Sequence, residues 1–256
     1  MSKSSAHFSV RGPRVIKLVI GFEGTRYGGW QSQKNGKTVQ ETFEKILLKI
    51  LKERTHLTGS SRTDSGVHAL GFAASFKTKS KLPDKSLKNA LNYYLPRDIV
   101  VYSAKTQARD FHARFDAKSK IYEYKIWNSP TRPLFEAPTV LWYPHLLDPA
   151  LMKKAARALL GRHDFSAFQD KSGDERNPVR RLTRLYIRKE GALIRITVQG
   201  DGFLNHMVRI IAGTLIEAGR GKLKPEKVAQ ILRSRDRSQA GPTAKAMGLT
   251  LLKVNY

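Results

Sequence analysis

Asp64 stands in a short polar stretch, Gly59-Ser60-Ser61-Arg62-Thr63-Asp64-Ser65-Gly66-Val67-His68-Ala69, two residues from Arg62. The stretch has little to bury, and Gly59 and Gly66 offer the backbone freedom that tight turns need. A lone carboxylate in such a loop can act as a nucleophile, which requires neither a second carboxylate nor a metal. A nearby guanidinium would keep it ionised. The bare pattern equally describes a turn closed by a local ion pair. Arg209 is a second candidate partner for Asp64. It lies in Asn205-His206-Met207-Val208-Arg209 and borders a helical face of Met207, Ile210, Ile211, Thr214 and Leu215. There an Arg needs a buried partner, unless it sits at the edge and snorkels. Other chemistries lack their residues. Cysteine is absent, so disulfides, thiolate metal sites and Cys nucleophiles are excluded. The seven histidines never fall three or four apart. Phosphate-loop, dinucleotide and Gly-x-Ser-x-Gly motifs are missing, and neither a metal nor a cofactor is expected.

The charge narrows the partner. Lys and Arg number 47 against 21 Asp and Glu, a net of +26 over 256 residues. Such an excess repels itself and calls for a polyanion, nucleic acid first and an anionic membrane surface second. The basic residues are spread along the whole chain, with no polybasic tail or basic amphipathic helix, which weakens the membrane reading. In a basic cleft an aromatic can hold an extruded base. Tyr122 is the candidate, although a lone Tyr also fits a core with its hydroxyl satisfied. Hydrophobic residues make up 40% and charged residues 27%, a globular balance. No apolar run approaches the roughly 20 residues of a membrane helix, and Met1-Ser2-Lys3-Ser4-Ser5 opens no secretory signal. A cytoplasmic protein without membrane contact is expected.

The elements that must position these residues follow from periodicity and caps. Residues 1–12 read as a flexible arm. Val15–Phe22 is an expected strand. Thr38-Val39-Gln40-Glu41 is a capping box, opening a helix that places Val39, Phe43, Ile46, Leu47, Ile50 and Leu51 on one face and ends near Lys52. Strands are expected at His68–Lys77, Ile99–Lys105 and Lys120–Trp127, with Tyr122, Tyr124 and Ile126 sharing one face of the last. Leu82–Leu95 is a second helix. Asp148-Pro149 opens a third that buries Leu151, Ala155, Ala158 and Leu159, with Gly161 as its cap. Leu204–Ala218 and Pro225–Arg233 follow as helices, Val179–Arg188 and Leu193–Gln199 as a hairpin, and Leu249–Val254 as a final strand. Asn128–Pro144 and Arg162–Asn177 read as loops. The order argues for α+β, not a doubly wound parallel sheet. It suggests a ferredoxin-like layer in each half, 13–115 with the Asp64 loop and 116–256, on mixed, mostly antiparallel sheet.

Several motifs together resemble the TruA family of tRNA pseudouridine synthases. Ser61-Arg62-Thr63-Asp64-Ser65-Gly66-Val67-His68 is similar to that family's Gly-Arg-Thr-Asp-Ala-Gly-Val-His signature. Tyr27-Gly28-Gly29-Trp30-Gln31, Asp110-Phe111-His112-Ala113-Arg114-Phe115, Tyr122-Glu123-Tyr124, His206-Met207-Val208-Arg209 and Thr243-Ala244-Lys245-Ala246-x-Gly248-Leu249 match in order. The resemblance implies a cofactor-free isomerase acting on uridines 38, 39 and 40 of the tRNA anticodon stem-loop. The target is flipped out, its glycosidic bond broken, and the uracil turned and rejoined through C5. Asp64 would be the nucleophile. Tyr122 would stack on the base and help move a proton, Arg209 would pair with Asp64, Arg62 would hold the substrate with its base out, and Leu249 would pack against the base. It further implies a homodimer binding tRNA across both subunits, with helices on one face of the sheet and the RNA cleft on the other. Ser61 and Ser65 depart from the family's Gly and Ala, and the two long loops match less closely. A non-catalytic RNA binder and a basic ribosomal protein are the competing classes. The first would gain nothing from a carboxylate facing phosphate, and the second predicts basic tails that are absent.

Overall fold

The computed structural model describes residues 12–33, 36–170 and 177–256. The expected N-terminal arm lies outside them except for Gly12. Along the chain run β1 (Arg14–Phe22), α1 (Val39–Leu51), β2 (Thr58–Gly59), β3 (His68–Thr78), α2 (Asp84–Tyr94), β4 (Ile99–Gln107) and β5 (Ser119–Asn128). Then come β6 (Leu141–Tyr143), α3 (Pro149–Ala156), β7 (Gly161–Asp164), β8 (Val179–Glu190), β9 (Leu193–Gly200), α4 (Met207–Gly219), α5 (Lys227–Ser234) and β10 (Leu249–Asn255). The architecture is α+β.

One sheet runs through the molecule in the order β4-β1-β3-β10-β5-β9-β8-β7, with β2 paired to β3 and β6 to β5. The described pairs are antiparallel except β10 with β3 and β5 with β6. The last strand therefore enters the middle of the sheet. Its Thr250 lies opposite His68 on β3, and its Leu251 opposite Tyr122 on β5. This insertion brings the start of β3, just after the Asp64 loop, beside the strand that carries Tyr122. Apolar side chains from both ends of the sheet merge into one core, including Ile16, Leu18 and Ile20 of β1 and Ile194, Ile196 and Val198 of β9.

Local chemistry accounts for most element limits. Thr38 caps α1, its hydroxyl accepting the Glu41 amide at 3.3 Å. Lys52 ends the helix in the left-handed region (φ 56°). The expected α1 face is buried at Val39, Phe43 and Leu47. The second helix begins at Asp84, two residues later than expected. Its carboxylate binds Arg14 at 3.0 Å and the Thr106 amide at 2.7 Å, tying α2 to β1 and β4. In α3 the buried places fall to Met152, Ala155 and Ala156, with Leu151 only half-buried. The last turn tightens into a 3₁₀ segment, Arg157–Leu159, so Gly161 opens β7 instead of capping a helix.

Both long segments read as loops contain structure. The first holds β6, aligned parallel to β5 by Ile126 opposite Leu141. The second holds β7 and a 3₁₀ turn, Ser166–Phe168, beside which Phe165 is fully buried. Residues 171–176 of that expected loop are outside the described set. These strands are three and four residues long. They exist through pairing with a neighbour, and no intrinsic period of 2 announces them.

Candidate active site

The Asp64 loop is held by its neighbour from the first half of the chain. The Trp30 amide donates to Thr63 O at 3.2 Å, and the Gly66 amide to Tyr27 O at 3.3 Å. The Ser65 hydroxyl also donates to Tyr27 O, at 3.2 Å. The two backbones touch so closely that a Cβ on Gly29 (φ +94°) would lie 2.3 Å from Thr63 O. One on Gly24 would lie 2.0 Å from Val67 O. The Gly-rich sequence Gly24–Trp30 is thus the seat of the Asp64 loop. His68 closes the other side: Nδ1 accepts the Gly24 amide at 3.0 Å, and Nε2 donates to Met247 O at 3.1 Å. Burial lowers the pKa of this ring, outweighing the pull of Glu23.

Across the fold, Arg209 reaches Asp64 from the first turns of α4. Its Nη1 donates to Asp64 Oδ2 at 2.9 Å and its Nε to Ala244 O at 2.8 Å. The guanidinium is 15% and the carboxylate 25% exposed, so the pair is partly shielded from water. The Asp64 charge is thus paired across 145 residues of sequence. Arg62, the local alternative, is exposed and makes no ion pair with it among the described residues. A second nitrogen faces the same oxygen: His206 Nε2 stands 3.4 Å from Asp64 Oδ2. No hydrogen bond or ion pair among the described residues engages Oδ1.

Asp64, Arg62, Tyr122 and Leu249 line one cavity of about 390 Å³, with Arg114, Lys120 and Phe203. That is within the range of about 300–1,000 Å³ typical of small-molecule sites. Cations and a carboxylate make one part of the wall, and aromatic and aliphatic groups the other. Tyr122 is 6% exposed, with the Phe203 ring edge-on at 5.1 Å. Burial pushes its phenol up to about 12, with the Asp64 charge adding to the shift. The Ser61 hydroxyl opposes the shift, although its alignment stops short of a hydrogen bond. Ser60, Ser61 and Thr63 each bury a hydroxyl without a partner among the described residues. Such groups cost stability and mark a loop shaped for something besides folding.

Sequence reading placed Asp64, Arg62, Tyr122 and Leu249 at one site and paired Arg209 with the acid. It passed over the role of His206, and it missed Asp170 and Phe203. His206 adopts φ 58°, left-handed for a residue with a Cβ, and its side chain does not cap α4. This conformation stops the helix from starting at Leu204 and costs about 1–3 kcal/mol. Among the described residues no three His, Asp or Glu side chains converge to hold a metal ion.

A profile of the tRNA pseudouridine synthase family matches residues 18–116 and 155–256. The chain belongs to that family. It is an isomerase of the class that turns uridine into pseudouridine. The chain is 46% identical over 243 residues to tRNA pseudouridine synthase A 2 of Clostridium perfringens, covering 95% of this chain and all of that one. It is 44% identical over 243 residues to tRNA pseudouridine synthase A of Acetivibrio thermocellus, with the same coverage. It is 45% identical over 248 residues to a Clostridium tetani relative also called tRNA pseudouridine synthase A 2, covering 95% of this chain and 99% of the relative. The family profile leaves out 117–154, the interval holding Tyr122 and β6, whereas these relatives match nearly the whole chain.

Proposed function

We propose that this isomerase acts on tRNA, converting uridines 38, 39 and 40 of the anticodon stem-loop to pseudouridine with Asp64 as nucleophile. Family membership and the relatives' names support the tRNA substrate. The +26 charge supports a polyanionic partner. One observation carries the role of Asp64: Arg209 grips Oδ2 at 2.9 Å, Asp64 lines the cavity, and no hydrogen bond among the described residues engages its Oδ1.

The target uridine is extruded from its stack into the cavity, at a cost of a few kcal/mol. Arg62, exposed on the same loop, holds the RNA with the base out. The uracil lies against Tyr122 and Leu249. Asp64 Oδ1 attacks C1′ of the ribose as the glycosidic bond to N1 breaks, the uracil turns, and C5 then bonds to C1′ as the Asp64 carboxylate leaves it. The C5 proton leaves and N1 gains one, so the reaction is an isomerisation with no net redox change. Tyr122 helps move that proton as the neutral phenol its burial enforces. No cofactor is called for.

We further propose two ferredoxin-like halves, 13–115 and 116–256, sharing the sheet, with helices on one face and the RNA cleft on the other. We place the enzyme in the cytoplasm as a homodimer that shares one tRNA between subunits. The test is incubation with unmodified tRNA followed by mapping of pseudouridine. Conversion is expected at positions 38 to 40, and modification elsewhere alone overturns the stem-loop assignment. Asp64→Ala is expected to abolish conversion while tRNA binding persists or tightens. Turnover at the wild-type rate by this variant would remove Asp64 from the mechanism.

A further inference from the structure

His206 has given up two ordinary roles. It stands at the start of α4 in a left-handed conformation (φ 58°, ψ 3°), and its side chain caps nothing. Among the described residues the other two non-glycine positions with positive φ, Lys52 and Arg235, are ordinary helix C-caps. At a helix N-terminus this conformation has no such explanation, and strain of this kind gathers where a side chain must be aimed. The His206 ring is aimed at two carboxylates. Its Nδ1 lies 3.0 Å from Asp170 Oδ2, and its Nε2 lies 3.4 Å from Asp64 Oδ2.

Carboxylates only accept hydrogen bonds, so Nδ1 must donate to Asp170. The same ring brings Nε2 to within 3.4 Å of Asp64, so His206 spans the gap between two carboxylates. The segment bearing Asp170 is fastened in place: the Asp170 amide donates to Asn205 O at 3.2 Å, and Ser166–Phe168 packs on α4. Arg209 Nη1 and His206 Nε2 approach the same oxygen of Asp64.

We propose that Asp170 and His206 form a positioning pair that fixes the rotation of the Asp64 carboxylate, so that Oδ1 points to the substrate. The inference rests on the reading of Asp64 as nucleophile. Arg209 alone sets one bond to Oδ2, about which the carboxylate can still swivel. The His206 ring, held by Asp170 with Nε2 3.4 Å from the same oxygen, limits that swivel. A misplacement of about 1 Å can cost on the order of 100-fold in rate, so the pair acts on the chemical step and not on tRNA affinity.

The experiment is single-turnover and steady-state kinetics of the full-length enzyme on unmodified tRNA, alongside thermal melting of each variant. His206→Ala is expected to lower kcat by about 10- to 100-fold with KM nearly unchanged. Asp170→Ala should lower it less, and Asp170→Asn, which keeps an acceptor for Nδ1, less again. His206→Gln keeps a polar side chain of similar reach beside Asp64 and should recover part of the loss. Because the two residues act as a unit, the double alanine variant should be no slower than His206→Ala. Wild-type kcat in His206→Ala and Asp170→Ala would overturn the proposal, as would a loss confined to KM or single losses that multiply in the double variant. An inactive Asp64→Ala together with wild-type kcat in both single variants would reject the positioning pair and leave Asp64 as nucleophile. An active Asp64→Ala would reject the underlying reading itself.

Discussion

Arg209 shows why residue type matters more than charge. Its guanidinium works in two directions at once, with Nη1 on Asp64 and Nε on Ala244 O. A lysine ammonium on a flexible stem cannot reproduce that fork. Loss of a charge-assisted hydrogen bond costs about 1.5–3 kcal/mol. Arg209→Lys should therefore slow single-turnover conversion by about 10- to 100-fold, with the fold intact by circular dichroism. An unchanged rate would mean that Asp64 needs only a nearby positive charge. Tyr122 illustrates the opposite case, in which the environment decides. With its phenol raised to about 12 by burial, it stays neutral at any physiological pH. Asp64 was legible from its loop because few other groups remained for the chemistry. His206 was not, since its backbone strain and its two carboxylate partners exist only in the folded chain.

At the scale of elements, the site hangs on close backbone approaches. The middle of α4 lies against the segment before β10, and a Cβ on Gly213 would stand 1.8 Å from Pro242 O. That segment also carries Ala244, whose carbonyl holds Arg209. Gly213→Ala should therefore destabilise by about 1–3 kcal/mol, the range of overpacked cores. In a protein of this size the melting temperature should fall by roughly 2–12 °C. Activity should fall further than stability explains. A melting temperature within a degree of wild type would show that α4 can slide freely.

His68 supplies a pH dependence of its own. Its folded pKa lies below the ordinary 6.5, because burial disfavours the charged ring. The unfolded chain takes up a proton near 6.5 that the folded one refuses. The stability His68 contributes is thus present above about 6.5 and is lost as pH falls from there toward its lowered folded value. Denaturant unfolding between pH 7 and 5 should show the decline, and His68→Gln should flatten it. An equal slope in the variant would assign the effect to another group.

For the whole molecule, charge dominates. A net of +26 on one chain favours any polyanion, and a partner held through phosphates releases counterions when bound. With about 6–10 phosphate contacts, tRNA affinity should fall by about 10³- to 10⁵-fold between 50 and 200 mM salt. A nearly flat salt dependence would reject a phosphate-lined cleft. Among the described residues no helix is long and apolar enough to cross a membrane.

The sequence alone established the α+β class, the limits of most helices and longer strands, the Asp64 loop and a polyanionic partner. These follow from local rules: capping residues, periodicity of 2 or 3.6, glycine at turns and the sum of charges. It also supported Arg209 as the partner of Asp64, because an Arg beside an apolar helical face needs an anion. The tertiary structure decided the rest. Insertion of β10 between β3 and β5 sets Tyr122 beside the strand that follows Asp64, and no local pattern encodes which strands become neighbours. The strands β6 and β7 form only by pairing. The Asp170–His206–Asp64 array joins three distant parts of the chain, and in sequence nothing links Asp170 or His206 to the Asp64 loop. Its geometry is a product of packing, and packing is a property of the whole fold.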